Sequence, residues 1–234
     1  MAKAFNKINI NKIKEELTFK KMDLSNLEEI LSLSENILQE MIEQGHPQYL
    51  LKREQNYYED ILNDENDIIC GVFRDSELIA MSCYHNCRSK EEIDRKFPNS
   101  DCNFGKHSVG VFSSVCVAPE FRGLGILGSM NDFVQELENF DFSIATAKLN
   151  NLSSIRGFLK KGYIIIKSVK SPVDGATICL LVKNNKIDTD YEFLDYIGND
   201  NLKEGLIEKH FIGYCNHKKE LQIIKSKEIE KIIN

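Results

Sequence analysis

The sequence predicts a mixed-sheet α/β fold with a smaller appendage at its C-terminal end. The first observation is the order of elements, in which strands come first and then alternate with helices before two closing strands. The second is composition, because 42% hydrophobic and 28% charged residues are typical of a folded globular chain. The third is length, since 234 residues suit one large domain with an addition better than two full domains.

Charge and cysteine content exclude several classes of protein. The chain has 30 Lys+Arg against 36 Asp+Glu, a net charge of −6, which argues against a broad nucleic-acid surface. No apolar run approaches the roughly 18 residues of a membrane span, and no apolar segment follows the N-terminal lysines as in a signal peptide. Seven scattered cysteines, an odd number, favour reduced thiols over a disulfide framework. We therefore expect a cytoplasmic protein with no membrane and no nucleic-acid partner.

Predicted elements in the first half begin with a strand over 18–23. A helix follows, with Ser25 as N-cap and Glu28 completing a capping box, and it runs to Gly45. The next predicted elements are a helix over 49–62 and a hairpin of strands 68–73 and 78–85.

A polar loop is expected over 86–106, and it precedes a strand over 108–117 that stops at Pro119. The remaining predicted elements are a helix over 125–138, a strand over 142–147, a helix over 152–161 and strands over 164–169 and 177–182. We expect a polar lead over 1–16, one domain over 17–183, and an appendage of a helix and short strands over 184–234.

One cluster, Cys83, His85 and Cys87 with Cys102 and His107 downstream, raises the question of a zinc site. Its cysteines are separated by three residues, and no second Cys-x-x-Cys half follows. We favour thiols on a strand and loop, and no metal.

The most informative segment is a glycine-rich loop between a strand and a helix, which spans Arg122, Gly123, Leu124, Gly125, Ile126, Leu127 and Gly128. Glycines let the backbone approach a ligand closely, and the first amides of a helix have no intrahelical acceptor. With the positive end of the helix dipole and the charge of Arg122, these amides predict a site for phosphate or pyrophosphate.

A dinucleotide cofactor is one alternative, because Gly123, Gly125 and Gly128 match the G-x-G-x-x-G fingerprint. That fingerprint follows directly on a strand, with an acidic residue about 20 positions on. Here four residues separate the strand from Gly123, and position 143 is serine. The context disfavours an oxidoreductase.

Two motifs resemble those of a known family. Val117-x-Pro119-Glu120-Phe121-Arg122-Gly123-x-Gly125-Ile126 looks like the acetyl-CoA-binding motif of the GNAT superfamily of N-acyltransferases. Downstream, Asn151-x-x-Ser154-x-x-x-Phe158-x-x-x-Gly162-Tyr163 resembles a second motif of the same family. The order of elements over 18–182 also fits this family, and both ends of the chain remain outside the resemblance.

The resemblance implies a mostly antiparallel sheet with a splayed central strand flanked by helices, and acetyl-CoA as co-substrate. The strand end Val115, Cys116 and Val117 would then pair with the pantetheine arm, and a main-chain N–H near Val115 would stabilise the oxyanion. The loop 122–128 would hold the pyrophosphate. Asn151 would bond the arm, or act only as a helix N-cap, and Ser154 would leave space beside it.

Two departures from the family pattern stand out. Leu127 occupies a position that is usually Gly or Ala, and Phe158 stands where many members carry the tyrosine that protonates the departing thiolate. Catalytic residues are therefore not assigned. Candidates for a base are Asp101, His107 and a water held by Ser113 or Ser114, and Cys116 is more plausible as a packed residue than as a nucleophile.

The leading hypothesis is an N-acetyltransferase that moves an acetyl group from acetyl-CoA directly to an amine. The acceptor would be a small molecule or a peptide, and the acidic balance favours a cationic one. The alternative is an acyl-CoA-binding sensor or pseudoenzyme, which Phe158 keeps open. The appendage could cover the acceptor or form a homodimer interface.

Overall fold

The computed structural model describes residues 16–45, 49–96, 104, 106–171, 175–185, 194–195, 212–215 and 221–224. Its main feature is a seven-stranded sheet in the order β1-β2-β3-β4-β5-β7-β6. The strands are β1 (Leu17–Lys21), β2 (Ile68–Arg74), β3 (Glu77–Cys87), β4 (Val109–Val117), β5 (Phe142–Lys148), β6 (Ile164–Lys170) and β7 (Thr177–Asn184).

Every neighbouring pair in this sheet is antiparallel except β4 and β5, which are parallel. The mixed, mostly antiparallel sheet that the sequence predicted is therefore confirmed. An all-parallel dinucleotide-binding sheet is not formed, because β4 leads into the glycine loop while pairing antiparallel with β3.

Within the described residues five helices pack on the sheet, and three details differ from the prediction. The helices are α1 (Leu27–Glu43), α2 (Gln55–Asn63), α3 (Lys90–Lys96), α4 (Ile126–Glu138) and α5 (Leu152–Leu159). The capping box of Ser25 and Glu28 is wrong. Asp23 caps a 3-10 turn instead, its carboxylate accepting from the Ser25 amide while Asn26 completes the box. Helix α3 lies in the segment predicted as a loop, and α2 begins at Gln55 rather than at residue 49.

The two faces of the sheet carry separate parts of the core. On one face, α4 and α5 cover an aromatic cluster in which the rings of Phe112, Phe158 and Tyr163 meet edge to face. On the other face, α1 and α2 bury Met81 and Cys116. Alternation of side chains along β4 therefore sends Cys116 to the α1 side, while Val115 and Val117 pack on the α4 side.

Beyond the main sheet, three short strands form a second sheet in the order β8-β10-β9. They are β8 (Leu194–Asp195), β9 (Ile212–Cys215) and β10 (Leu221–Ile224). Strand β9 lies against β6 and α5. The short strands expected in the appendage are thus seen, whereas the helix expected there, and the lead up to residue 15, lie outside the described residues.

The cysteines at positions 70, 83, 87, 116 and 179 are free thiols inside the core. Burial raises the pKa of the thiols of Cys70, Cys116 and Cys179 to about 12. Of the helices in the described ranges, none combines the length and apolar character needed to cross a bilayer.

Candidate functional site

The central feature of the site is an opening between β4 and β5. The two strands pair from Val109 opposite Phe142 as far as Phe112 opposite Ala145. Beyond that pair β4 continues to Val117, and β5 continues to Lys148 while paired with β7 on its other edge. No further pair joins β4 to β5, although both strands are described throughout. The predicted splay of the central strand is confirmed.

A β-bulge in β4 lies at the start of this opening. Cys83 pairs with Ser113 and Met81 pairs with Cys116, so β4 has one residue more than β3 in between. Ser114 has a left-handed backbone with φ of 47°. This conformation interrupts the alternation of side chains, and the hydroxyls of Ser113 and Ser114 both lie 3.2 Å from the Tyr57 hydroxyl.

The glycine loop follows the unpaired end of β4 after a 3-10 turn over Pro119–Phe121. Gly123 and Gly125 have φ of 80° and 79°, a region that strains other residues, and Gly125 is the N-cap of α4. The first amide of α4 with an acceptor is that of Ser129, which donates to the Gly125 carbonyl. Within the described part of the chain, the amides of residues 123–128 donate to no acceptor. They form a cradle of amide donors at the N-terminus of α4, where the sequence predicts an anion site.

The Arg122 side chain is paired with a carboxylate in this structure. Its Nη1 and Nη2 donate to the two carboxylate oxygens of Glu40 in α1, at 2.9 and 2.5 Å, and its Nε donates to the Val117 carbonyl at 3.0 Å. A carboxylate that takes both ends of the guanidinium fork competes with a phosphate for that charge. Arg122 therefore ties α1 to the end of β4, and its contact with a phosphate stays a prediction.

Leu127 departs from the family pattern without closing the loop. A Cβ on Gly157 of α5 would lie 3.5 Å from Leu127 Cδ2, so the larger side chain packs over a glycine of the next helix. A Cβ on Gly128 would lie 2.2 Å from Lys161 Cε, so a larger residue there would displace the Lys161 side chain. Among the other residues predicted to hold the cofactor, Leu124 is half-buried against the core and Ile126 is buried.

Asn151 is the N-cap of α5, which was one of the two roles that the sequence predicted for it. Its side-chain oxygen accepts from the Ser154 amide at 3.2 Å, and this bond leaves the side-chain NH₂ group available as a donor. Ser154 is half-buried on the first turn of the same helix.

Phe158, which the resemblance to the GNAT superfamily would place among the cofactor-binding residues, is a buried core residue. Its side chain is only 2% exposed, because it packs against Phe112 and Tyr163 with ring centroids 5.1 Å away in each case. Tyr163 is fully buried and its hydroxyl donates to Asn131 Oδ1 at 2.6 Å, so it is a packed aromatic residue of the core.

Cys116 is unsuited to act as a nucleophile. Its side chain is 1% exposed and points to the α1 side. A thiol whose pKa is raised to about 12 by burial stays protonated near neutral pH, and the thiolate is the reactive form. Only the main chain of Cys116 can meet a ligand in the opening.

The candidate bases differ in where they lie relative to the opening between β4 and β5. His107 precedes the opposite end of β4, where its Nδ1 lies 3.2 Å from Asp141 Oδ2, and the strand separates it from the opening. Asp101 lies outside the described residues. Ser113 and Ser114 lie at the bulge, where the unpaired part of β4 begins.

The sequence analysis missed a polar network at this bulge. His85 Nδ1 lies 2.5 Å from Asp67 Oδ2, and His85 Nε2 lies 3.2 Å from Ser113 Oγ and 3.4 Å from the Tyr57 hydroxyl. In the sequence, His85 stands out only as a possible zinc ligand between Cys83 and Cys87. Its position in β3 could have indicated the network. His85 lies two residues from Cys83 and four from Met81, so its side chain points to the same face of the sheet, toward α1 and α2.

A pocket of about 460 Å³ adjoins this network on the side of α2 and α3. Tyr57, Asp67 and His85 form one wall of it, and Asp60, Asp64, Arg88, Glu92 and Arg95 are among the residues that form the rest.

Comparison with known proteins supports the fold through structure alone. No protein-family model matches the sequence, and no curated protein matches it. A GNAT-family acetyltransferase from Streptococcus agalactiae is 16% identical with a TM-score of 0.58, covering 72% of this chain and 95% of that one. NAA60 of Arabidopsis thaliana, solved with acetyl-CoA, is 13% identical with a TM-score of 0.58, covering 73% and 99%.

An aminoglycoside N(6′)acetyltransferase from Legionella pneumophila is 13% identical with a TM-score of 0.52, covering 72% of this chain and 91% of that one. The chain therefore has the GNAT fold, as its two motifs indicated.

Proposed function

We propose that this protein is an N-acetyltransferase that transfers the acetyl group of acetyl-CoA to an amine. The observation that carries the proposal is the coincidence of two features at one place. The β4–β5 pairing ends at Phe112 and Ala145, and the amides of residues 123–128, which follow the unpaired end of β4, have no acceptor among the residues that the structure describes. An extended arm with a pyrophosphate at its end fits an unpaired strand edge that leads to an anion cradle.

In this proposal the pantetheine arm lies along Val115, Cys116 and Val117, whose backbone groups on the β5 side have no strand partner. The amides of residues 123–128 bind the pyrophosphate, and the NH₂ group of Asn151 donates to the arm. A main-chain N–H near Val115, just after the bulge, stabilises the oxyanion of the tetrahedral intermediate.

Direct transfer is favoured over an acetyl-enzyme, because the nearest thiol, Cys116, is buried and protonated. The amine nitrogen attacks the thioester carbon, the C–N bond forms, and the C–S bond breaks. A thiol with an ordinary pKa of about 8.5 is a fair leaving group, so turnover does not require a tyrosine at the position of Phe158. Loss of such an acid slows the reaction by a factor of roughly 10²–10⁴ at most.

The acceptor enters from the α1 and α2 side, where the Ser113 and Ser114 hydroxyls point. Acceptors in this fold range widely, since one neighbour is named for an aminoglycoside and another is bound to a peptide and CoA. We propose a small-molecule or peptide amine here. Free, buried thiols support a location in the reducing cytoplasm.

The test is thermal stabilisation by acetyl-CoA, with NADH as the competing ligand. At 100 times its dissociation constant a ligand adds about 2.7 kcal/mol, which raises the melting temperature by roughly 5–10 °C in a chain of this size. Gly123→Asp places a carboxylate in the cradle and should abolish the shift. Gly45→Asp is the matched control, because Gly45 also has a positive φ and open space around its Cβ position.

A shift with acetyl-CoA in the parent and in Gly45→Asp, but not in Gly123→Asp, is the expected result. A shift with NADH alone, or equal shifts in both variants, would contradict the proposed site. Thiol release from acetyl-CoA with a panel of amines then separates the enzyme from a non-catalytic acyl-CoA sensor, which would bind without turnover.

A further inference from the structure

The polar network at the β4 bulge links the reacting end of the opening to the pocket on the other side of Tyr57. From the opening outward, Ser114 Oγ lies 3.2 Å from the Tyr57 hydroxyl, and that hydroxyl contacts Ser113 Oγ at 3.2 Å. Both Tyr57 and Ser113 reach His85 Nε2, and His85 Nδ1 meets Asp67. The chain of contacts is unbroken from Ser114 to Asp67.

The surroundings of this chain are more polar than the rest of that face of the sheet. Cys83 and Met81 belong to the apolar cluster under α1, and Cys87 and Val111 belong to a second apolar cluster near α3. His85 lies between the two clusters, 3% exposed, and Asp67 is 13% exposed at the pocket. A buried imidazole with a carboxylate on one nitrogen and hydroxyls on the other is a costly arrangement for a core that needs only packing.

The contacts of His85 indicate which of its two ring nitrogens carries the proton. Asp67 accepts from the Asn86 amide at 3.1 Å through Oδ1, and its Oδ2 faces His85 Nδ1. A carboxylate in this place holds the proton on Nδ1, which leaves Nε2 as an acceptor for the hydroxyls of Ser113 and Tyr57. Burial raises the pKa of Tyr57 to about 12, so its hydroxyl keeps a proton to pass on near neutral pH.

We propose that Asp67 and His85 form a proton relay that deprotonates the ammonium of the acceptor through the hydroxyls of Tyr57, Ser113 and Ser114. The inference rests on the proposed acetyl transfer. The ammonium R–NH₃⁺ loses one proton to this hydroxyl chain, and His85 Nε2 takes up the proton at its far end. The resulting imidazolium is stabilised by Asp67.

The free amine then attacks the thioester, and its second proton goes to the departing CoA sulfur. The products are R–NH–acetyl and CoA–SH. One proton remains on His85, which returns it to solvent through the pocket. Other charged groups facing the relay from α2, the β3–α3 connection and α3 are Asp60, Asp64, Arg88, Glu92 and Arg95, and Arg53 lies 4.5 Å from the centre of the Tyr57 ring.

The experiment measures kcat/KM for thiol release from acetyl-CoA between pH 6.5 and 9.5 in Asp67→Asn and His85→Gln. The acceptors are the alkylammonium probes spermidine and tyramine, and hydroxylamine, which is already neutral at pH 7. A base that acts on the ammonium contributes about 10²–10⁴-fold with the alkylammonium probes at pH 7. The loss should shrink toward pH 9.5, as free amine accumulates, and should stay below about tenfold with hydroxylamine.

His107→Gln is the matched control, because it changes the exposed His–Asp pair before β4 and should leave every rate unchanged. Asp67→Asn is nearly isosteric and keeps an acceptor for the Asn86 amide, so it decides the matter if His85→Gln is too unstable to assay. The dissociation constant of acetyl-CoA should be the same in all variants.

Equal losses with hydroxylamine and with the alkylammonium probes, or losses that do not vary with pH, would show a structural role and overturn the relay. Unchanged rates would overturn it as well. A parent protein that binds acetyl-CoA but releases no thiol with any probe would instead overturn the proposed transfer, and the relay with it.

Discussion

The two halves of β4 lie in one strand but have opposite properties. Residues 109–112 pair with β3 on one side and β5 on the other, and Phe112 lies in the aromatic cluster under α5. Residues 113–117 pair with β3 alone, contain the bulge at Ser114, and lead to a loop with unbonded amides. The paired half holds the fold together, and the unpaired half leaves backbone groups for a ligand.

The two histidine–aspartate pairs repeat this contrast. His107 and Asp141 meet near the paired half, and the His107 side chain is 51% exposed. His85 and Asp67 meet beside the bulge, where the His85 side chain is 3% exposed and contacts the hydroxyls of Tyr57 and Ser113. Exposed pairs contribute little energy, so residue type alone does not identify a site. The features that distinguish His85 from His107 are its burial and the hydroxyls that contact its second ring nitrogen.

The largest stability effect is expected from Phe158→Ala, which removes a buried ring that packs on the paired half. Large-to-small changes of this kind cost about 3–5 kcal/mol of unfolding free energy. Urea unfolding followed by circular dichroism measures the loss. Val115→Ala, on the unpaired half, should cost less because Val115 is only half-buried. Equal losses would mean that both halves belong to the same packed core.

A smaller effect concerns the thiols and tests whether the opening reaches the α1 side of β4. Cys116 should resist iodoacetamide in the native protein at pH 8 and react after unfolding in guanidinium, as peptide mass spectrometry would show. Rapid modification of native Cys116 would show that the unpaired half is open on both faces.

The same thiols predict the sign of the alkaline stability change. Their folded pKa of about 12 lies above the unfolded value of about 8.5. The protonated form is therefore favoured by folding, and its contribution is complete below about pH 8.5 and lost as the pH rises through about 12. The melting temperature should fall between pH 9 and pH 11, and a rise over that interval would contradict the assignment.

The sequence predicted the main sheet well because its strands are short apolar runs bounded by turns and prolines, and the glycine loop because its spacing is local. It did not predict the partner of Arg122, since Glu40 lies 82 positions away and a guanidinium serves a carboxylate or a phosphate equally. Helix α3 was missed because it is short and mostly polar, with Ile93 its buried apolar residue.

The relay was beyond the sequence for a similar reason. It needs α2 to bring Tyr57 over β4, and it needs a left-handed serine to turn two hydroxyls to one side. The spacing of residues in the sequence indicates neither condition. A positive φ in particular is not expected at a serine. Tertiary contact creates the network.

The most direct test of the central claim is hydrogen exchange of the backbone amides with and without acetyl-CoA. Bonds to a charged phosphate contribute about 1.5–3 kcal/mol each, so exchange at residues 123–128 should slow by about tenfold or more. Exchange at 113–117 should slow as well, while the already paired amides of 109–112 stay unchanged. Stabilisation by acetyl-CoA without slowing at 123–128, or with uniform slowing across β4, would contradict the assignment of the unpaired half as the cofactor site.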